Sequence, residues 1–232
     1  MLNAGGDGNI SGFRLADGAL TPIAGSTQPL SGGNVGAAQV AFSPSGYTLV
    51  VTEKTTNRLD VYSVDDGGVA SAPVVHDSAG QTPFGFAFTQ RDTAIVSEAG
   101  AGAVSSYDVF RDGGISVDTP SLADGGEAAC WVVTSIDGRF AYTTNAKSGS
   151  ISGYSVANNG QISLLRGDGV TASTGEGSGP TDMAISRDGQ TLFALTGGNH
   201  GLSAFTVNAD GSLGPVATAS GLPATAIGLA AN

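Results

Sequence analysis

A chain of 232 residues with 40% hydrophobic content buries a core as one domain and falls outside the disordered class. Its 20 acidic side chains against 9 basic ones, a net charge of −11, exclude the basic surfaces that nucleic acid and anionic membranes require. The single cysteine, Cys130, excludes an internal disulfide. No apolar run approaches the ~20 residues of a membrane helix, and Met1–Gly6 lacks the basic and apolar regions of a signal peptide, so the chain reads as soluble.

Glycine at 37 positions, often in Asp-Gly and Asn-Gly pairs, suits short strands joined by tight turns with positive φ. Residues 1–24 read as three strands, with NISGFRL leading into a turn at Asp17-Gly18. The next stretch, AFSPSGYTLVVTEKTTNRLDVYSV (41–64), carries the fullest pattern. A short apolar strand (Gln39–Phe42) precedes a Ser-Pro-Ser-Gly turn, a second strand (Thr48–Thr52), a polar loop, and a third strand closed by Tyr62. The same order recurs with first strands Phe84–Phe88, Trp131–Thr134 and Met183–Ser186, and second strands Ala94–Ser97, Phe140–Thr144 and Thr191–Thr196. Third strands AVSSYDV, SISGYSV and GLSAFTV follow, all alternating with period two.

The closing aromatics Phe13, Tyr62, Tyr107, Tyr154 and Phe205 recur at intervals of 45 to 51 residues. The turns SIDG (135–138) and SRDG (186–189) match SPSG (43–46), whereas Gln90-Arg91-Asp92 lacks the glycine. Asp66-Gly67, Asp112-Gly113, Asn159-Gly160 and Asp210-Gly211 each lead to a fourth strand. Four strands at this spacing describe a propeller blade. Ile227–Asn232, IGLAAN, reads as one more innermost strand, and pairing it with residues 1–24 would remove a free sheet edge. The expectation is an all-β, five-bladed β-propeller with four-stranded blades, closed by N- and C-terminal strands in one blade. As one domain, 1–232, its blades run approximately 1–37 plus 227–232, 38–83, 84–129, 130–180 and 181–226.

The repeats FSPSGYTLVVTEKTTNRLDVYSV and AISRDGQTLFALTGGNHGLSAFTVNADGSL resemble those of the lactonase-like β-propellers, which include 6-phosphogluconolactonases and the carboxymuconate-lactonising enzyme. The resemblance extends over the whole chain and implies a hydrolase acting on lactones. Members usually have seven blades, so the chain resembles a member shortened by about two. The family's enzymes hold substrate with His, Arg and Glu side chains around the central mouth, and the motifs that carry the histidine and arginine are not evident here.

Strand direction alternates within a blade, so first-strand starts and second-strand ends share one face. This places Asn3, Glu53, Glu98, Asn145 and Thr196 with Gln39, Phe86, Trp131, Asp182 and Ile227 around one axial mouth, the default ligand site of such a fold. Glu53 and Glu98, equivalent in adjacent blades, offer an acid–base pair or oxygen ligands for a cation. The plainer reading is two solvated carboxylates, with Glu53 beside Lys54 and Arg58. His200, in Gly-Gly-Asn-His-Gly, is a candidate base, and His76 is a surface residue of an outer strand. Asn3, Gln39, Asn145, Asp182 and Thr196 are candidate ligand-binding positions. The Asp-Gly pairs sit at turns without D-x-D-x-D spacing, and no G-x-S-x-G or H-E-x-x-H occurs, so neither a metal nor a cofactor is expected.

Three functions follow. The main expectation is a binding or scaffold propeller without a catalytic constellation, monomeric, taking a small-molecule or protein ligand and neither nucleic acid nor membrane. The second is a lactone hydrolase working at the axial mouth through Glu53, Glu98 and His200. The third is a minimal ring selected for folding alone.

Overall fold

The computed structural model describes all residues, 1–232, as strands and turns plus one three-residue 3-10 turn at Gly197–Asn199. The first unit comprises β1 (Leu2–Asn3), β2 (Asn9–Ile10), β3 (Phe13–Ala16), β4 (Ala19–Pro22) and β5 (Gln28–Pro29), hydrogen-bonded as β1-β2-β5 and β3-β4. Its third strand is interrupted at Ser11-Gly12, where the Gly12 N–H donates to Ser26 Oγ at 3.0 Å and a Cβ would meet Ser26 Cβ at 2.9 Å.

Four complete antiparallel units follow. They are β6 (Ala37–Phe42), β7 (Thr48–Glu53), β8 (Arg58–Ser63), β9 (Val74–Asp77); then β10 (Pro83–Phe88), β11 (Thr93–Glu98), β12 (Ala103–Val109), β13 (Ile115–Ala123). Next come β14 (Ala129–Thr134), β15 (Phe140–Asn145), β16 (Ser150–Val156), with both β17 (Ile162–Leu164) and β18 (Val170–Ser173) on its outer edge. The last unit is β19 (Pro180–Ile185), β20 (Thr191–Thr196), β21 (Gly201–Val207), β22 (Leu213–Ser220). The period-two alternation and the Gly turns of the sequence account for these strands, and the observed ends lie within three residues of the expected ones.

The first turn of each complete unit needs a left-handed residue. Gly46, Gly138 and Gly189 supply it with φ of +75°, +68° and +73°, and Asp92 fills the place in the glycine-free turn with φ +60°. Aspartate tolerates this region better than most side chains, and here its carboxylate also accepts the Ser45 N–H of the preceding unit at 3.1 Å.

Consecutive first strands β6, β10, β14 and β19 pack against one another and so form the inner wall. Four apolar clusters fill the spaces between neighbouring units: around Val51 and Tyr62, around Val96 and Tyr107, around Ile95 and Tyr154, and around Tyr142 and Leu192. Each joins units adjacent in the chain, and none of the four joins the last unit to the first. The expected closing pair is not formed: residues 227–232 lie in no strand, and β1 pairs only with β2. What holds the tail is one hydrogen bond to the last unit, from the Leu229 N–H to Asp182 Oδ2 at 2.8 Å.

Candidate functional site

At one end of the first four units, the last residue of the second strand lies beside the residue two places before the closing aromatic of the third. In the second unit these are Glu53 and Asp60, and Ser31 reaches both from the loop that leaves the first unit. Both carboxylates are wholly withdrawn from solvent. The Ser31 hydroxyl donates to Glu53 at 2.5 Å, the Thr56 hydroxyl at 2.6 Å, and the Ser31 N–H reaches Glu53 at 3.1 Å and Asp60 at 2.8 Å. Burial alone raises both pKa values. For Asp60, burial and then the hydrogen bond and repulsion of Glu53 push the carboxyl up to about 8. For Glu53, burial is outweighed by hydrogen bonds from Asp60, Ser31 and Thr56, which hold the group below its ordinary value. The two shifts run in opposite directions, Asp60 upward and Glu53 downward, and Asp60 Oδ1 is buried without a hydrogen-bond partner.

In the third unit Glu98 is equally buried, taking hydrogen bonds from the Ser105 hydroxyl and from the Ser121 hydroxyl at 2.6 Å. Gly80 packs directly on its carboxylate. Asn145 replaces the acid in the fourth unit, donating to Ser152 Oγ at 2.8 Å and Ser150 Oγ at 3.3 Å. Thr196 ends β20 in the fifth, nearly fully buried and without a side-chain cap bond. Exposed Asn3 donates to Asn9 Oδ1 at 2.7 Å and Ser11 Oγ at 3.3 Å. Glu53 and Glu98 therefore occupy equivalent places but share no hydrogen-bond partner, Glu53 being reached by Ser31 from the first unit and Glu98 by Ser121 from its own unit's β13.

The first-strand positions act between units. Gln39 donates to the Phe86 carbonyl and accepts the Phe86 N–H, both at 2.8 Å, extending β6 to β10 as a peptide group would. Asp182, its counterpart in β19, accepts the Leu229 N–H at 2.8 Å and the Met183 N–H at 2.7 Å. Burial raises the Asp182 pKa, opposed by these two amide donors. The string AIGLAA (226–231) matches PFGFAF (83–88) position by position in its small and apolar pattern, with Leu229 standing for Phe86. Leu229 thus stands to Asp182 as Phe86 stands to Gln39, through one backbone N–H.

His200 ends the 3-10 turn at φ +54°, is exposed, and its carbonyl accepts the Leu222 N–H at 2.9 Å. His76 is half-buried, with Nε2 2.8 Å from the Gly113 carbonyl, and so links two units. No three His, Cys, Asp or Glu side chains converge as a metal-binding set. The residue that sequence reasoning missed is Asp60. Its signal was a carboxylate two places before Tyr62, where the other units carry Ser11, Ser105, Ser152 and Ser203.

No protein-family model matches the chain, and neither does any curated protein. Solved structures do. A protein of Lactobacillus plantarum superposes with a TM-score of 0.79 at 18% identity, over 96% of this chain and 68% of its own. A candidate 6-phosphogluconolactonase of Bacteroides uniformis gives 0.76 at 18% over 95% and 67%, and a periplasmic gluconolactonase of Pseudomonas aeruginosa 0.73 at 19% over 94% and 65%. The chain has the lactonase-like propeller fold. It spans about two thirds of the length of these structures.

Proposed function

We propose that the protein is a binding or scaffold propeller with no acid–base catalyst at its axial mouth, built from five units with the tail in the first-strand place of the incomplete one. What supports the reading is how the mouth's polar groups are occupied. Glu53 and Glu98 accept from serine and threonine hydroxyls, Gln39 is spent on the Phe86 backbone, and Asp182 on Leu229 and Met183. A general base needs a free lone pair within reach of a substrate proton, and these carboxylates are fully or almost fully buried. The acidic charge supports a chain that avoids nucleic acid and membrane and works as a monomer.

A second reading, a lactone hydrolase at the mouth, draws on the likeness to a gluconolactonase and on exposed His200, whose ring makes no hydrogen bond that would hold it back from a substrate. A panel of aldono- and alkyl-lactones separates the two. Turnover at the buffer rate supports the binding reading. Turnover that is lost in His200→Ala, Glu53→Gln or Glu98→Gln would establish the hydrolase instead.

A further inference from the structure

At the opposite end of the inner wall, the first strands β10, β14 and β19 and the tail border a shallow, open hollow of about 490 Å3. Its walls are apolar, with Ala87, Val132, Ile136, Ile185 and Ala231 contributing, and Ile136 at the rim is 52% exposed. The hydroxyls that reach it are already engaged: Thr134 donates to the Phe88 carbonyl at 2.9 Å and Ser186 to Asp188 at 2.6 Å. Its one charged side chain is Arg187.

Arg187 is singular in the whole molecule. The other eight cationic side chains are all engaged. Arg58, Arg139, Lys147 and Arg166 pair with Asp77, Asp137, Glu127 and Asp168. Lys54 and Arg111 lie over the rings of Phe84 and Tyr47. Arg14 and Arg91 donate to the carbonyls of Gly67 and Ala157. Arg187 alone has no ion pair, ring or hydrogen-bond acceptor, although the chain carries 20 acidic residues. The two carboxylates of the adjoining cleft are committed elsewhere, Asp137 to Arg139 and Ser135, and Asp188 to Ser186 and Gln190.

We propose that this hollow binds an organic monocarboxylate with a compact apolar body, the body lying on the β10, β14 and β19 walls and the carboxylate forming a forked pair with the Arg187 guanidinium. A planar guanidinium is matched to a carboxylate by two parallel N–H donors. A polyhydroxylated ligand would need several free donors and acceptors, and the hollow offers only the Arg187 cation and the Asn232 amide. The volume lies within the range of small-molecule sites. The site rests on the binding reading above but on none of its mouth residues.

The test is calorimetric titration of the full chain with hexanoate and, separately, with 1-hexanol. Saturable hexanoate binding is expected, at least tenfold weaker in Arg187→Gln and several-fold weaker in Ile136→Gln, with hexanol no tighter than hexanoate binds to Arg187→Gln. Both substitutions replace exposed side chains, and an unchanged near-ultraviolet circular dichroism spectrum confirms the fold. Absence of hexanoate binding, equal binding in Arg187→Gln, or equal binding of hexanol overturns the proposal. Lactone turnover, measured on the same samples, judges the mouth reading separately.

Discussion

Glu53 and Asp60 are held together by one backbone amide, the Ser31 N–H, which lies 3.1 Å from the first and 2.8 Å from the second. Neither carboxyl group reaches solvent, and burial together with the neighbouring Glu53 favours the protonated form of Asp60. The consequence is a stability that falls as pH rises. Asp60 titrates at about 8 in the folded chain, against about 3.9 for an unfolded aspartate. Between those values the folded pair keeps a proton that unfolding releases, so stability declines through that window by up to about 1.4 kcal/mol per pH unit. Glu53, held low, acts in the opposite sense, and its share is lost only in acid as pH falls through its folded pKa. Urea midpoints at pH 5 and pH 8 should show the chain weaker at pH 8. Asp60→Asn, which mimics the protonated acid, should reduce the difference. An unaltered slope in that variant would show that the pair does not hold the proton.

The Glu98 enclosure makes a steric prediction. A Cβ on Gly80 would run into the Glu98 carboxylate and come within 2.7 Å of Ser121 Oγ. Gly80→Ala should therefore cost about 1–3 kcal/mol through overpacking and a displaced buried acceptor. Gly167→Ala, where nothing lies within 4 Å of the new methyl, is the control and should stay within about 0.5 kcal/mol of the parent. Thermal unfolding of the two variants side by side decides the point.

The strands were readable from the sequence because their signals are local: alternation, the closing aromatics and the glycine turns all lie within one repeat. Asp92 shows the limit of that code, since a left-handed aspartate does in space what glycine does elsewhere. The enclosure of Glu53 and Glu98 was hidden because their serine partners lie 22 and 23 residues away, Ser31 on the loop that leaves the first unit and Ser121 on the outer strand β13. Nor does periodicity distinguish a closed ring from units packed in a row. Each repeat specifies contacts with its neighbours, and closure depends on the sum of small rotations between them.

Gln39 and Asp182 make the last comparison sharp, because each accepts a backbone N–H from another segment, Gln39 from Phe86 of strand β10 and Asp182 from Leu229 of the tail. Gln39 serves a strand that is also paired along its length with β11, so Gln39→Ala strips two hydrogen bonds from Phe86 inside a cooperative structure. Leaving a buried N–H and C=O without partners costs about 1–3 kcal/mol, and the whole chain should melt earlier. Asp182 serves a tail that pairs with no strand, so Asp182→Ala should leave the melting temperature nearly unmoved and release the tail locally. Hydrogen exchange reads the contrast directly. The Leu229 amide should exchange at least tenfold faster in Asp182→Ala and be unaffected in Gln39→Ala, while the Phe86 amide should show the reverse order. Slow exchange of Leu229 persisting in Asp182→Ala would overturn the assignment of the Asp182 hydrogen bond as what protects that amide.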